Sequence, residues 1–203
     1  LLKPFRDNIT EFRQRVEQTF NIAPNSRIVL YAPTFRRNMS IEPYRIDWSR
    51  ILGALRRHYA TDNVTVIVRM HPNLIGKVST SSLVAFEGVV DGTRYHDMQE
   101  LLTTADMLIT DYSSSMFDFT MQGRPCILYA TDVAEYDRGY YFNFRELPYP
   151  LAENEDELEA LIDNFDHEGY ISRLEEFFTH RVGLNESGHA AQALAEWMVS
   201  HSK

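Results

Sequence analysis

Several features are scarce or missing in this chain, and each absence removes a class of function. There is one cysteine, Cys126, among 203 residues. No disulfide framework can form within the chain and no cysteine-based zinc site can be built, usage that suits a reducing compartment. No GxGxxG or Walker sequence occurs, so the fingerprints of dinucleotide and P-loop sites are absent. The seven histidines fall in neither HExxH nor another ligand spacing, and no resident metal or cofactor is expected. A serine hydrolase would flank its nucleophile with glycine, whereas Ser113 and its neighbours stand between Asp111-Tyr112 and Met116. No apolar run approaches the length of a membrane-spanning helix, and the start, Leu1-Leu2-Lys3-Pro4-Phe5, does not read as a signal peptide. That start has no initiator methionine, and the expectation is a fragment of a longer protein. Positive charge is also short: 20 Lys and Arg face 29 Asp and Glu, a net charge of -9, which argues against a nucleic-acid partner.

What remains is an alternation of apolar runs and amphipathic segments. Ile9, Phe12, Val16, Thr19 and Phe20 recur on one face of a segment over residues 6–20, predicting a helix that ends before Pro24. Residues 27–32 and 64–68 are strand-like and apolar, the second β-branched throughout, as a parallel sheet covered on both faces requires. Asp47 and Asp97 are placed to cap helices over Trp48, Ile51, Leu52 and Leu55 and over residues 98–104. The pair Arg56-Arg57 near the end of the first of these reads as surface charge suited to the helix dipole. A further short strand is expected within residues 83–90, and Cys126 is expected buried in a strand over residues 126–129. Residues 131–150 hold Tyr136, Tyr140, Tyr141, Phe142, Phe144 and Tyr149 without a period, and predict a long ordered loop packed by aromatics. Three helical pieces follow over residues 155–164, 171–178 and 187–199, the last capped at Asn185 or Ser187. Strands alternating with helices imply one doubly wound, mostly parallel α/β domain over residues 1–203, Rossmann-like, with helices on both sheet faces.

The stretch at 105–119 organises the rest. Asp106-Met107-Leu108-Ile109-Thr110 has strand length, and Met116, Phe117, Phe119 and Thr120 follow near helical spacing with no Gly or Pro before Gly123. The turn residues Asp111, Ser113 and Ser114 are of the type that caps helices, and they either do only that or also seat a phosphate with N–H and hydroxyl donors. In doubly wound folds ligands bind at the carboxyl ends of strands. Three loops, 33–37, 69–73 and 111–115, should therefore meet on one rim. That rim would offer Arg36 or Arg37, Arg69, His71 and the serines, a set suited to a diphosphate. Taken singly, an Arg at a strand end or a His before Pro is as well explained by solvation or packing. Asp118, one turn beyond Ser114, would accept from a sugar hydroxyl or serve the helix dipole.

Together the blocks Leu30-Tyr31-Ala32-Pro33-Thr34-Phe35-Arg36, Arg69-Met70-His71 and Thr110-Asp111-Tyr112-Ser113-Ser114 with Met116-Phe117-Asp118-Phe119 resemble the signature segments of the CDP-glycerol glycerophosphotransferases of teichoic-acid synthesis. Gly139-Tyr140-Tyr141-Phe142-Asn143-Phe144, then Leu147-Pro148 and Pro150, resemble the same family. Gly188-His189-Ala190 does so too, although a small polar residue is common there where His189 stands. The resemblance implies the carboxy-terminal, nucleotide-binding half of a GT-B glycosyltransferase-like fold. It implies that Pro33, Thr34, Arg69, Met70, His71, Ser113, Ser114 and Asp118 line a CDP-glycerol site. It further implies a general-base histidine in a His-Gly pair, which this sequence lacks, so catalysis would need an amino-terminal half.

The expected reaction is transfer of glycerol phosphate to a hydroxyl of a teichoic-acid-type polymer or its lipid-linked primer, with release of CMP. Arg69 and the serines would stabilise the leaving phosphate, and His71 would hydrogen-bond the diphosphate or protonate the departing oxygen. By the same resemblance the expected location is cytoplasmic, peripheral on the inner face of a bacterial membrane. Two alternatives stand: a CDP-ribitol or nucleotide-sugar transferase of the same fold, and a non-catalytic nucleotide-binding or partner module.

Overall fold

The computed structural model describes residues 8–37, 40, 42–75, 84–136, 142–183 and 188–202. Its centre is a six-stranded parallel sheet, built from β1 (Arg27–Ala32), β2 (Val64–Val68), β3 (Val89–Asp91), β4 (Met107–Thr110), β5 (Cys126–Tyr129) and β6 (Leu151–Ala152) in the spatial order β3-β2-β1-β4-β5-β6. This is the doubly wound, Rossmann-like order, in which the winding reverses between β1 and β4. The register runs Leu30 beside Ile67 on one side and Leu108 on the other, then Leu108 beside Cys126.

The strand side chains alternate between two cores. Val29, Tyr31, Val66, Val68, Ile109 and Ile127 face one cluster, covered by α2 (Trp48–Tyr59) through Ile51, Leu52 and Leu55 and by α5 (Glu155–Asp163) through Leu158 and Ile162. Ile28, Leu30, Leu108, Cys126 and Leu128 face the other. That face is covered by α1 (Ile9–Phe20), α3 (Met98–Thr104), α4 (Ser115–Thr120) and α6 (His167–Glu176), with Val16, Leu101, Phe119 and Tyr170 as principal buried contacts. Burial on both faces accounts for the unbroken apolar strands. Cys126 is buried as expected, and its thiol is pushed far above the usual range by that burial.

Two helix starts follow the caps expected of them. Asp47 accepts from the Ser49 and Arg50 amides, and Asp97 from those of Gln99 and Glu100. Arg57 is spent as a bridge from α2 to Glu159 and Asp163 of α5, at 2.9 and 2.8 Å.

Departures from the sequence reading have physical causes. The helix expected over 171–178 begins at His167, because Asp166 accepts from the Gly169 amide at 3.0 Å and caps it. A Cβ at Gly169 would stand 2.0 Å from Asp166 Oδ2, so the lack of a side chain at this position is what admits the cap. The same helix runs on into a π-helical turn, Phe177–Val182. The third strand is Val89–Asp91, near the end of the expected window, and the two-residue β6 was not anticipated. The last helix, α7 (Ala190–His201), starts after His189; the expected caps Asn185 and Ser187 lie outside the described residues. The aromatic loop contains only a 3-10 turn, Phe144–Glu146, among its described residues, and is packed by Tyr112 on Tyr136 (3.6 Å between ring centres) and Phe142 on Phe177. Tyr140 and Tyr141 lie outside the described residues. Among the described residues no helix is long and apolar enough to cross a membrane.

Candidate functional site

Where the winding reverses, the segments leaving β1 and β4 diverge to opposite faces and leave a crevice between them, the place where such folds hold ligands. The floor is tight: Thr110 Oγ1 donates to the Ala32 carbonyl at 2.7 Å, tying the two strand ends together. Above it lies a cavity of about 360 Å³, within the range of small-molecule sites. Pro33 and Thr34 line it from the β1 loop, Arg69, Met70 and His71 from the β2 loop, and Ser113, Ser114 and Asp118 from the β4 turn and α4. Eight of the nine residues singled out in the sequence thus converge on one cavity. The loop after each strand puts them there, because parallel strands deliver all their carboxyl ends to one rim.

Arg36 is the exception. It is not among the residues lining the cavity, and its guanidinium is taken up by Asp111 (2.8 Å) and Asp132 (2.6 and 2.9 Å). Its side chain is only 8% exposed. Charge pairing inside the protein therefore replaces the ligand contact that the rim pattern suggests.

Arg69 is placed differently. It is half-buried at the cavity and donates from Nη1 to two backbone carbonyls, Tyr95 at 2.5 Å and Gly92 at 3.4 Å. Among the described residues it makes no ion pair, and burial lowers its affinity for its proton, Asp97 only partly offsetting this. A cation held this way, desolvated and without a carboxylate against it, leaves its charge to an incoming anion. His71 accepts from the Asn73 amide at Nδ1, 3.2 Å away, so the neutral ring carries its proton on Nε2. The ring lies 5.9 Å from that of Phe35.

At the β4 turn, Ser113 Oγ accepts from the Ser115 amide at 3.3 Å and pairs with the Ser115 hydroxyl at 2.7 Å. Ser114 makes no side-chain cap. The bonds Met116 N to Ser113 O and Phe117 N to Ser114 O close the first turn, while the Ser113 and Ser114 amides find no acceptor among the described residues. Ser113 therefore serves the helix start through the Ser115 amide, while the Ser113 and Ser114 amides stand as donors at the cavity. Asp118 is half-buried, and burial raises its carboxyl above the usual value against a bond from Gln99.

Sequence reasoning missed Met98, Gln99 and Leu102, which line the cavity from α3. Nothing local marks them, since α3 reaches the rim only through the crossover between β3 and β4. The lining offers an arginine, an imidazole, a group of N–H and O–H donors, a carboxylate and the apolar α3 side chains Met98 and Leu102. Such a lining suits an anion carrying a hydroxylated, partly apolar body.

Comparison with known proteins bears on the family and the fold. The sequence profile of the CDP-glycerol:poly(glycerophosphate) glycerophosphotransferase family matches residues 3–200. A teichoic acid glycerol-phosphate transferase of Staphylococcus aureus is 32% identical over 197 residues, covering 93% of this chain and 49% of the relative. A teichoic acid poly(glycerol phosphate) polymerase of Bacillus subtilis is 36% identical over 163 residues, 76% of this chain and 21% of the relative. Among solved structures, the wall teichoic acid polymerase TagF superposes with a TM-score of 0.74 at 26% identity, over 98% of this chain and 48% of that one. The chain spans half or less of the length of these relatives.

Proposed function

The chain belongs to the CDP-glycerol:poly(glycerophosphate) glycerophosphotransferase family, and from that premise we propose that its cavity binds CDP-glycerol. In this reading the protein transfers glycerol phosphate to a hydroxyl of a teichoic-acid-type polymer or its lipid-linked primer and releases CMP. The observation that carries the reading is the convergence of Arg69, His71 and the Ser113–Ser114 amides on one cavity at the winding reversal.

The acceptor hydroxyl attacks the phosphorus that bears glycerol, in line with the bridging oxygen. The bond from that phosphorus to the bridging oxygen breaks, and CMP leaves with the electron pair. Negative charge grows on the CMP phosphate, where Arg69 and the serine amides balance it, each preorganised donor contributing on the order of 3 kcal/mol to the transition state. His71 Nε2–H donates to the departing oxygen. Asp118 accepts from a hydroxyl of the bound donor. The base that takes the acceptor's proton is assigned to the part of the relatives' length that this chain does not span. Because the acceptor is lipid-linked in this reading, we place the reaction at the inner face of a bacterial membrane.

Calorimetric titration of the chain with CDP-glycerol, CDP-ribitol and a UDP-sugar tests the proposal. Saturable CDP-glycerol binding that CMP displaces, and that His71→Ala weakens with unchanged melting temperature, is the expected result. Binding of CDP-ribitol or the UDP-sugar in preference reassigns the donor, and failure of every nucleotide to bind refutes the site.

A further inference from the structure

The network around Arg36 does more than neutralise two carboxylates. Its guanidinium grips Asp132, after β5, with Nε and Nη2, and reaches Asp111, after β4, and the Thr34 carbonyl, after β1, with Nη1. Asp111 in turn accepts from the Thr34 amide at 2.7 Å, from the Thr34 hydroxyl, and from the Tyr112 amide at 2.7 Å. Tyr112 closes the circuit by donating its hydroxyl to Asp132 at 3.0 Å, with its ring 4.9 Å from the guanidinium. Three loops from three adjacent strands are thereby joined through one buried side chain. Two of those loops carry cavity residues, Thr34 on one and the serine turn on the other.

We propose that Arg36 is a positioning residue: by clamping Asp111 and Asp132 it fixes the loops after β1, β4 and β5 in the arrangement that presents Thr34 and the Ser113–Ser114 amides to the bound diphosphate. The inference rests on the donor-binding reading above and adds to it what sets the shape of the site. Two physical points support it. A planar five-donor fork makes these four bonds at once and grips Asp132 with two separate nitrogens, whereas lysine has three donors on a single nitrogen. Asp111 also stands two residues before the serine turn, so its charge would repel a phosphate there unless a cation is fixed against it.

Asp132 does not line the cavity, so Asp132→Asn loosens Arg36 without removing a ligand contact. In the 203-residue chain this substitution is expected to raise the Kd for CDP-glycerol about tenfold, since a misplacement of roughly 1 Å at a preorganised site has effects of that size or larger. The amide resonances of Thr34 and Tyr112, both set by bonds to Asp111, should shift in the nucleotide-free protein. Asp132→Asn and Thr34→Val should be non-additive in CDP-glycerol affinity, because both act through Asp111; independent effects on the site would give additive losses. Arg36→Lys serves as the second variant should Asp132→Asn fail to fold, with the same resonance shifts and loss of affinity expected. Wild-type affinity in the folded variant, or additivity in the cycle, overturns the proposal. If the unaltered chain binds no CDP-glycerol, the donor reading fails separately, and the two resonances still decide whether Arg36 sets the loops.

Discussion

Replacing Arg69 by methionine should separate function from stability. The substitution keeps most of the aliphatic stem and removes the guanidinium. On the folding side the loss is small: of its two carbonyl bonds, the one to Gly92 at 3.4 Å is at the limit of a hydrogen bond and only that to Tyr95 is short. Burial already disfavours the charged group where it sits, so removing it also removes a desolvation cost. The stability change is therefore expected within about 1 kcal/mol. On the binding side, a charge-assisted bond to phosphate is worth about 1.5–3 kcal/mol, a rise in Kd of roughly 10- to 100-fold. Calorimetric titration with CDP-glycerol gives the second quantity and urea denaturation the first. A variant that loses several kcal/mol of stability yet binds normally would show that Arg69 is a strut for the loop after β3, and the anion-site argument would be refuted.

Two further outcomes follow from burial. Burial pushes His58 below its ordinary value of 6.5, a bond to the Ile162 backbone and the charge of Asp163 working the other way. As pH falls below 6.5 the unfolded chain takes up this proton before the folded one, so the associated stability is present above pH 6.5 and is lost as acidity rises through the lowered value. The melting temperature should fall from pH 7.5 to 5.5, less steeply in His58→Phe, and parallel slopes in the two proteins would show the coupling is wrong. Phe119 is completely buried in the core cluster that holds Leu108 and Cys126; Phe119→Ala should cost about 3–5 kcal/mol, and a denaturation midpoint close to that of the unaltered chain would contradict the packing described.

The alternation of strands and helices was legible along the chain because each element carries its own signal: an apolar run for β1, a β-branched run for β2, and Asp47 and Asp97 ahead of α2 and α3. The rim residues were legible for a related reason, since parallel strands send every carboxyl end to the same side, and a loop's place in the sequence then fixes its place on the rim. That logic gathers Pro33, Thr34, Arg69, Met70, His71, Ser113, Ser114 and Asp118 about one cavity. It could not say which cation stays available. Arg36 and Arg69 are both arginines at or just beyond strand ends, and local sequence treats them alike. Only the third dimension separates them: the order β1-β4-β5 sets Asp111 and Asp132 beside Arg36 and sets backbone carbonyls beside Arg69. The same holds for Met98, Gln99 and Leu102, whose part in the cavity depends on where α3 is carried by its crossover. Local residue chemistry determined the elements and the rim. The pairing of charges across strands far apart in sequence, which decides ligand contact from internal clamp, was decided by the tertiary structure, because electrostatic interaction depends on distance in space and not along the chain.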